Sequence, residues 1–224
     1  MPADQPFEMP DYVIERVMRK RGRLRVFERF EARETALVVI DMQRFYVADV
    51  PAAEAIVPVI NTLADGFRRK GATVVWVKMT AGRDGQSLWP LYHEQFMQPE
   101  RAAQHRDQLS EGAEGHQLHD GLVVQGADLQ VHKNRFSAFL PTASDLHEVL
   151  TRRGIRNVAI AGMLTNFCCE TSARDAMMLD YRVAMVSDAN AARYDDDHRA
   201  GFTTLYQSFG DVLTARELLD EVLV

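Results

Sequence analysis

The sequence predicts an α/β domain built on a parallel sheet, and three observations predict it. Continuous apolar, β-branched runs alternate along the chain with segments of helical periodicity. The helical segments are roughly 10 to 17 residues long, the length at which right-handed crossovers join parallel strands. Polar residues stand directly after several of the apolar runs, where the carboxyl ends of such a sheet gather ligands.

Taken in order, Asp11 to Arg25 reads as a basic helix with Val13, Val17 and Leu24 on one side. Such a face is ordinarily solvated or packed on a neighbouring subunit rather than on RNA or membrane. Ala36–Ile40 is a strand covered on both faces. Glu54 to Lys70 carries Ile56, Val57, Ile60, Leu63 and Phe67 at helical spacing, and Gly71 ends it. Thr73–Val77 is a second buried strand. The stretch from Thr80 to Gly126 reads as a long irregular segment, and a loop of that length covers or builds a site. Leu129–His132 is a short strand, and Ser144–Arg153 a helix begun by Ser144 or Thr142 and closed by Gly154. Asn157–Ala161 and Arg182–Val186 are strands on either side of a helix from Thr165 to Leu179. Asp195–Phe209 is a helix, Asp211–Leu213 a short strand and Ala215–Leu223 a final helix. Residues 1–33 form an N-terminal extension, and 34–224 one domain without repeats or linkers.

The bulk numbers exclude several classes. At 224 residues and 46% hydrophobic, the chain is long enough for a sizeable core. A net charge of -6 argues against nucleic acid or anionic membrane as the main partner. No apolar run reaches the roughly 20 residues that span a bilayer. The N-terminus lacks a secretory pattern, so the expected location is cytoplasmic. The two cysteines, Cys168 and Cys169, are adjacent, too few for a Cys-rich zinc site and unable to staple distant parts of a fold.

Three places then carry chemistry. Asp41 follows the first apolar run, half shielded at the strand's mouth; a turn aspartate is the ordinary reading, a positioned base the functional one. Burial would raise its pKa and a nearby cation would lower it. Lys133 follows the strand Leu129–His132, where it can face a carboxylate. His132 beside it should point the other way, because strand neighbours alternate. In AIAGMLTNFCCETSARDA a buried strand runs through Gly162 into a helix that contains Cys168. A thiol in the first turn meets the positive helix end, which favours thiolate and can receive an oxyanion. Thr165 or Asn166 is the expected N-cap. Cys169 lies about 100° round the helix and is read as packing.

The set D-M-Q after the first strand, K-x-R-F-S-A-F after a middle strand and G-x-x-T-N-x-C-x-x-T-x-A-R-D-A resembles the isochorismatase-like cysteine hydrolases, over about residues 34 to 220. The resemblance implies a three-layer αβα sandwich of Rossmann type, with a six-stranded, mostly parallel sheet, assembled as a homodimer or homotetramer. It implies Asp41, Lys133 and Cys168 as a catalytic triad. It also implies a cis peptide at Met163–Leu164 that helps aim N–H groups of Leu164 and Cys168 at an oxyanion. The reaction implied is nucleophilic cleavage of a C–N bond in a small amide, ureido or N-carbamoyl compound, without cofactor.

Departures narrow the choice. True isochorismatases lack the cysteine, so Cys168 favours C–N over vinyl-ether cleavage. Nicotinamidases add a metal held by an Asp and two His; here Asp49 is available but residues 42 to 92 contain no histidine, and no metal is expected. The run NRFSAF is nearest to ureidoacrylate and N-carbamoyl amidohydrolases. Expected pocket residues are Gln43, Phe45, Trp89, Phe136, Phe139 and Asn166. Two rival readings remain at this level: a vinyl-ether hydrolase with Asp41 as acid, and a degenerate, oligomeric binding module.

Overall fold

The computed structural model describes residues 7–83 and 86–224. The basic segment forms α1 (Asp11–Arg21), four residues shorter than expected because Gly22 takes a left-handed φ of 69° and caps it. Its two buried valines, Val13 and Val17, pack on Tyr206 of the same chain. Beyond it the carboxylate of Asp211 accepts the backbone N–H groups of Val26 and Phe27, at 2.8–2.9 Å. Phe30 and Ala32 then exchange backbone hydrogen bonds with residues 222 and 224.

The strand β1 (Thr35–Ile40) is buried along its whole length. The helical run that follows is divided into α2 (Arg44–Asp49), α3 (Pro51–Ala55) and α4 (Val57–Arg69). Pro51 and Pro58 sit in the first turns of α3 and α4, where a missing N–H costs nothing, so they restart the helix rather than extend it. β2 (Thr73–Met79) is the second strand. The segment 80–126 is irregular only in part: it holds the antiparallel pair β3 (Gly82–Arg83) and β4 (Gln86–Ser87), then α5 (Pro90–Gln95), α6 (Pro99–Gln108) and a 3₁₀ turn at Glu114–His116. Pro90 and Pro99 start the two helices. Neither helix has an apolar stripe, since α6 buries only Ala102 and His105, and so the periodicity is missing from the sequence.

The remainder follows the expected alternation: β5 (Leu129–Lys133), α7 (Leu146–Arg152), β6 (Asn157–Met163), α8 (Glu170–Met178), β7 (Arg182–Ala191), α9 (Asp195–Ser208), β8 (Asp211–Leu213) and α10 (Ala215–Glu217). The six long-range strands form one parallel sheet in the order β5-β2-β1-β6-β7-β8. Alternation along β1 sends Leu37 and Val39 into one core with Ile60, Leu63 and Phe67 of α4. It sends Ala36, Val38 and Ile40 into the other, with Leu150 of α7, Ala173 of α8 and Phe202 of α9. The molecule is therefore a three-layer αβα sandwich. No helix of the described residues is long and apolar enough to cross a membrane.

From β1 the chain moves one way to β2, and from β6 the other way to β7 and β8. The strand order reverses around β1 and β6, and that is where a doubly wound sheet opens a crevice at its carboxyl edge.

Candidate active site

Asp41 is the first residue past β1 and holds φ at 56°, a left-handed conformation rare outside glycine. Its N–H still bonds Val77 O at 2.9 Å, so the backbone is pinned while the carboxylate turns into the crevice. On the neighbouring strand Gly162 holds φ at 115°. A Cβ there would lie 2.1 Å from Ile40 O, so only glycine lets β1 and β6 close together at this corner.

Lys133 ends β5, in register with Met79 at the end of β2. Its stem crosses the end of β2, and Nζ lies 2.7 Å from Asp41 Oδ2 and 3.3 Å from Cys168 Sγ. The ammonium also donates to Arg135 O at 3.1 Å. Both charged groups are almost wholly buried, at 1% exposure for Lys133 and 2% for Asp41. A buried lysine needs such partners, and the Asp41 charge holds its pKa above the ordinary value despite desolvation. Burial raises the Asp41 pKa although Lys133 opposes it. The Cys168 thiol is within hydrogen-bonding reach of the Asp41 carboxylate, whose Oδ1 has no N–H or O–H partner.

Cys168 sits in a π-helical turn, Thr165–Cys169, that leads into α8. The expected cap is corrected here: Leu164, in extended conformation, takes the N-cap position, and Thr165 instead bonds His198 Nδ1 at 2.8 Å. Desolvation by burial and the adjacent Asp41 charge raise the Cys168 pKa while Lys133 opposes them, so depth of burial works against the helix end that favours thiolate. The Met163–Leu164 peptide is cis. Cys169 is wholly buried in the core, and His132 points away, bonding Thr80 Oγ1 at 2.9 Å.

Above the thiol lies a cavity of about 260 Å³. Met163, Leu164 and Phe167 border it beside Asp41 and Cys168, and Tyr46, Tyr92, Phe96, Arg101, His105, Phe136 and Arg193 close the other sides. Of the expected pocket residues, Phe136 lines it, edge-on to Trp89 at 4.9 Å. Trp89 stands behind, stacked on Tyr92 at 4.6 Å with Arg135 over its face. Phe45 lies under Arg101 and borders a separate open groove outside α2 and α6. Gln43 is structural: its amide donates to Met79 O and His116 O and accepts Met79 N–H, and its complete burial leaves no surface for a ligand. Phe139 is in the core against Tyr181, and Asn166 lies beside Gly201 outside the cavity. Asp49 accepts from both Arg101 and Arg193 at 2.8 Å. The lining residues that sequence reasoning missed are chiefly Tyr46 on α2, Arg101 and His105 on α6, and Arg193 after β7. The pair Arg101 and His105 is spaced i, i+4, a signal visible only once α6 is known to be a helix.

Residues 35–217 match the family model described as the isochorismatase domain. The chain belongs to the isochorismatase family. Among its relatives, a probable inactive nicotinamidase from Arabidopsis thaliana is 33% identical over 75% of this chain and 86% of its own length. Ureidoacrylate amidohydrolase RutB from Agrobacterium fabrum is 33% identical over 70% of this chain and 75% of its own. In structure the isochorismatase-family chain resembles a cysteine hydrolase from Pseudomonas syringae, with a TM-score of 0.73 at 27% identity, covering 88% of this chain and 95% of that one. The family assignment makes this chain a hydrolase by descent, and the fold class agrees with that structural neighbour.

Proposed function

We propose that the protein cleaves a C–N bond of a small ureido or N-carbamoyl compound through a thioester on Cys168. One observation carries the reading: a single buried ammonium, Lys133 Nζ, lies 2.7 Å from Asp41 and 3.3 Å from Cys168 at the foot of a cavity. The likeness to an amidohydrolase that acts on ureidoacrylate supports the substrate class.

In the first step Asp41 takes the Cys168 proton as sulfur attacks the carbonyl carbon. A thiol with a raised pKa needs such a base, and burial makes Asp41 a stronger one. Backbone N–H groups of Leu164 and Cys168 receive the oxyanion. Lys133 neutralises whichever of Asp41 and sulfur carries the negative charge, so the site's charge is constant while the proton moves. Collapse breaks the C–N bond, and Asp41 returns the proton to the leaving amine. Water then attacks the thioester, Asp41 taking its proton and passing it back to sulfur. In this reading residues 34–224 are the catalytic domain of a cytoplasmic homo-oligomer and 1–33 an appended segment; sizing of the full chain and of a 1–30 deletion would test the assembly.

The experiment is ammonia release from nicotinamide, ureidoacrylate, biuret and N-carbamoyl amino acids, beside a Cys168→Ser control. Release from one compound, abolished in the variant, is the expected result. Silence across the panel, with isochorismate turned over equally by both proteins, would replace this reading with vinyl-ether hydrolysis.

A further inference from the structure

The mechanism leaves one polar array in the cavity wall unused. Ser87 Oγ bonds His93 Nδ1; His93 Nε2 lies 3.0 Å from His105 Nδ1; His105 Nε2 lies 3.0 Å from the Tyr46 hydroxyl. Both rings are buried, at 3% and 4% exposure, and the chain ends at the cavity, which Tyr46 and His105 line. Desolvation by burial pushes the His105 pKa down to about 3 and lowers that of His93, so each ring is neutral and carries a single N–H. Burial likewise keeps the Tyr46 phenol protonated.

Four linked groups with one proton each have two directions. Run from Tyr46 to Ser87, the chain spends the phenol proton on His105 and delivers a second donor to Ser87 Oγ. That oxygen already accepts the N–H of Trp89 at 3.1 Å, and among the described residues its own proton has no acceptor except His93. Run from Ser87 to Tyr46, the serine proton goes to His93, each imidazole passes an Nε2–H forward, and the phenol oxygen accepts from His105. Every protein group is then satisfied, and the phenol proton is left for the cavity. The occupant that wants it is anionic, because among the described residues Arg101 and Arg193 share the single Asp49 carboxylate at the same cavity and leave one positive charge over.

We propose that Tyr46 is a specificity-determining residue that donates its hydroxyl to the carboxylate of an acidic ureido substrate, with Ser87, His93 and His105 holding it in the donor direction. The ureido part of this statement rests on the function proposed above; the direction of the chain does not.

Two measurements decide it without turnover. Long-range proton–nitrogen NMR of the ¹⁵N-labelled protein, assigned with single His→Gln variants, should show His93 and His105 as Nε2–H tautomers; an Nδ1–H tautomer on either ring overturns the direction. Calorimetry on Cys168→Ala should then compare N-carbamoyl-β-alanine with propylurea, which lacks the carboxylate. Adding Tyr46→Phe should weaken the acid about 10- to 100-fold, the range of a hydrogen bond to a charged group, and propylurea less than about threefold. Equal losses for both probes would reduce Tyr46 to a structural role, and an unchanged or undetectable acid affinity would sink the carboxylate assignment. A wild type silent towards every amide would overturn the C–N reading alone, with the tautomers still reporting on the relay.

Discussion

The two sides of the cavity are built by different means. On the triad side, Asp41 and Lys133 sit at or just beyond strand ends, fixed by strand register and sealed from water, and Cys168 sits in the π-helical turn that follows β6. On the facing side, Tyr46, Tyr92, Arg101 and His105 come from short helices, and Arg101 and Arg193 keep roughly two-fifths of their side chains exposed. Strand ends cannot move without disturbing both cores, whereas a wall of short helices can be rebuilt locally. Chemistry is thus held where the fold is stiffest, and selectivity where it is softest.

That contrast can be broken in order of effect. Cys168→Ala should lower turnover by at least about 10⁴-fold while leaving the fold intact, as measured by activity and circular dichroism. Asp41→Asn strands the Lys133 charge in the core and should cost about 3–5 kcal/mol of stability in urea. The double variant with Lys133→Met should regain much of it, because no buried charge remains; no recovery would mean the pair is not what binds that corner. Gly162→Ala forces a methyl against Ile40 O and should cost about 3 kcal/mol, comparable with loss of a required special backbone conformation. An equivalent change in the facing wall, Arg101→Gln, should leave the melting temperature nearly unchanged and shift KM rather than kcat.

Acid tests three histidines, of which His105 belongs to the softer side. Burial pushes His105 down to about 3 and His116 and His198 down to about 4. Unfolded histidines protonate near 6.5, so the unfolded chain binds more protons below that pH. Stability is therefore full above pH 6.5 and falls as pH drops towards 4, by up to about 2 kcal/mol per ring at pH 5. Melting curves across pH 7 to 5 would show it, and a flat profile would mean the rings are hydrated. Away from the cavity, Val17→Ala in α1 should cost about 1–2 kcal/mol from its contact with Tyr206, less than the change at Gly162.

The same contrast explains what the sequence discloses. Asp41, Lys133 and Cys168 stand beside β-branched runs whose hydrophobicity marks strand ends, and the sheet and both cores follow from those runs. The wall leaves no such trace. The helix α6 is polar on most faces, and its starting signal, Pro99, is as common in loops. Gln43 is expected in the pocket, yet the backbone of Met79 and His116 engages its amide. Whether a thiol near a helix start is ionised is likewise unreadable from position, since it depends on the depth of burial and on the charges beside it.

The backbone exchange between Phe30 and Val224 has a consequence for how the molecule opens. Phe30 and Ala32 donate to Val222 and Val224, and Val224 donates back to Phe30, at 2.8–3.0 Å. The two stretches of chain form a clasp across the edge of the domain, so neither can fray without freeing the other. The amides of Phe30, Ala32 and Val224 should exchange with deuterium in step, as one opening unit. Residues appended after Val224 would extend from a tethered strand, and their pull would be felt nearly 200 residues earlier in the chain.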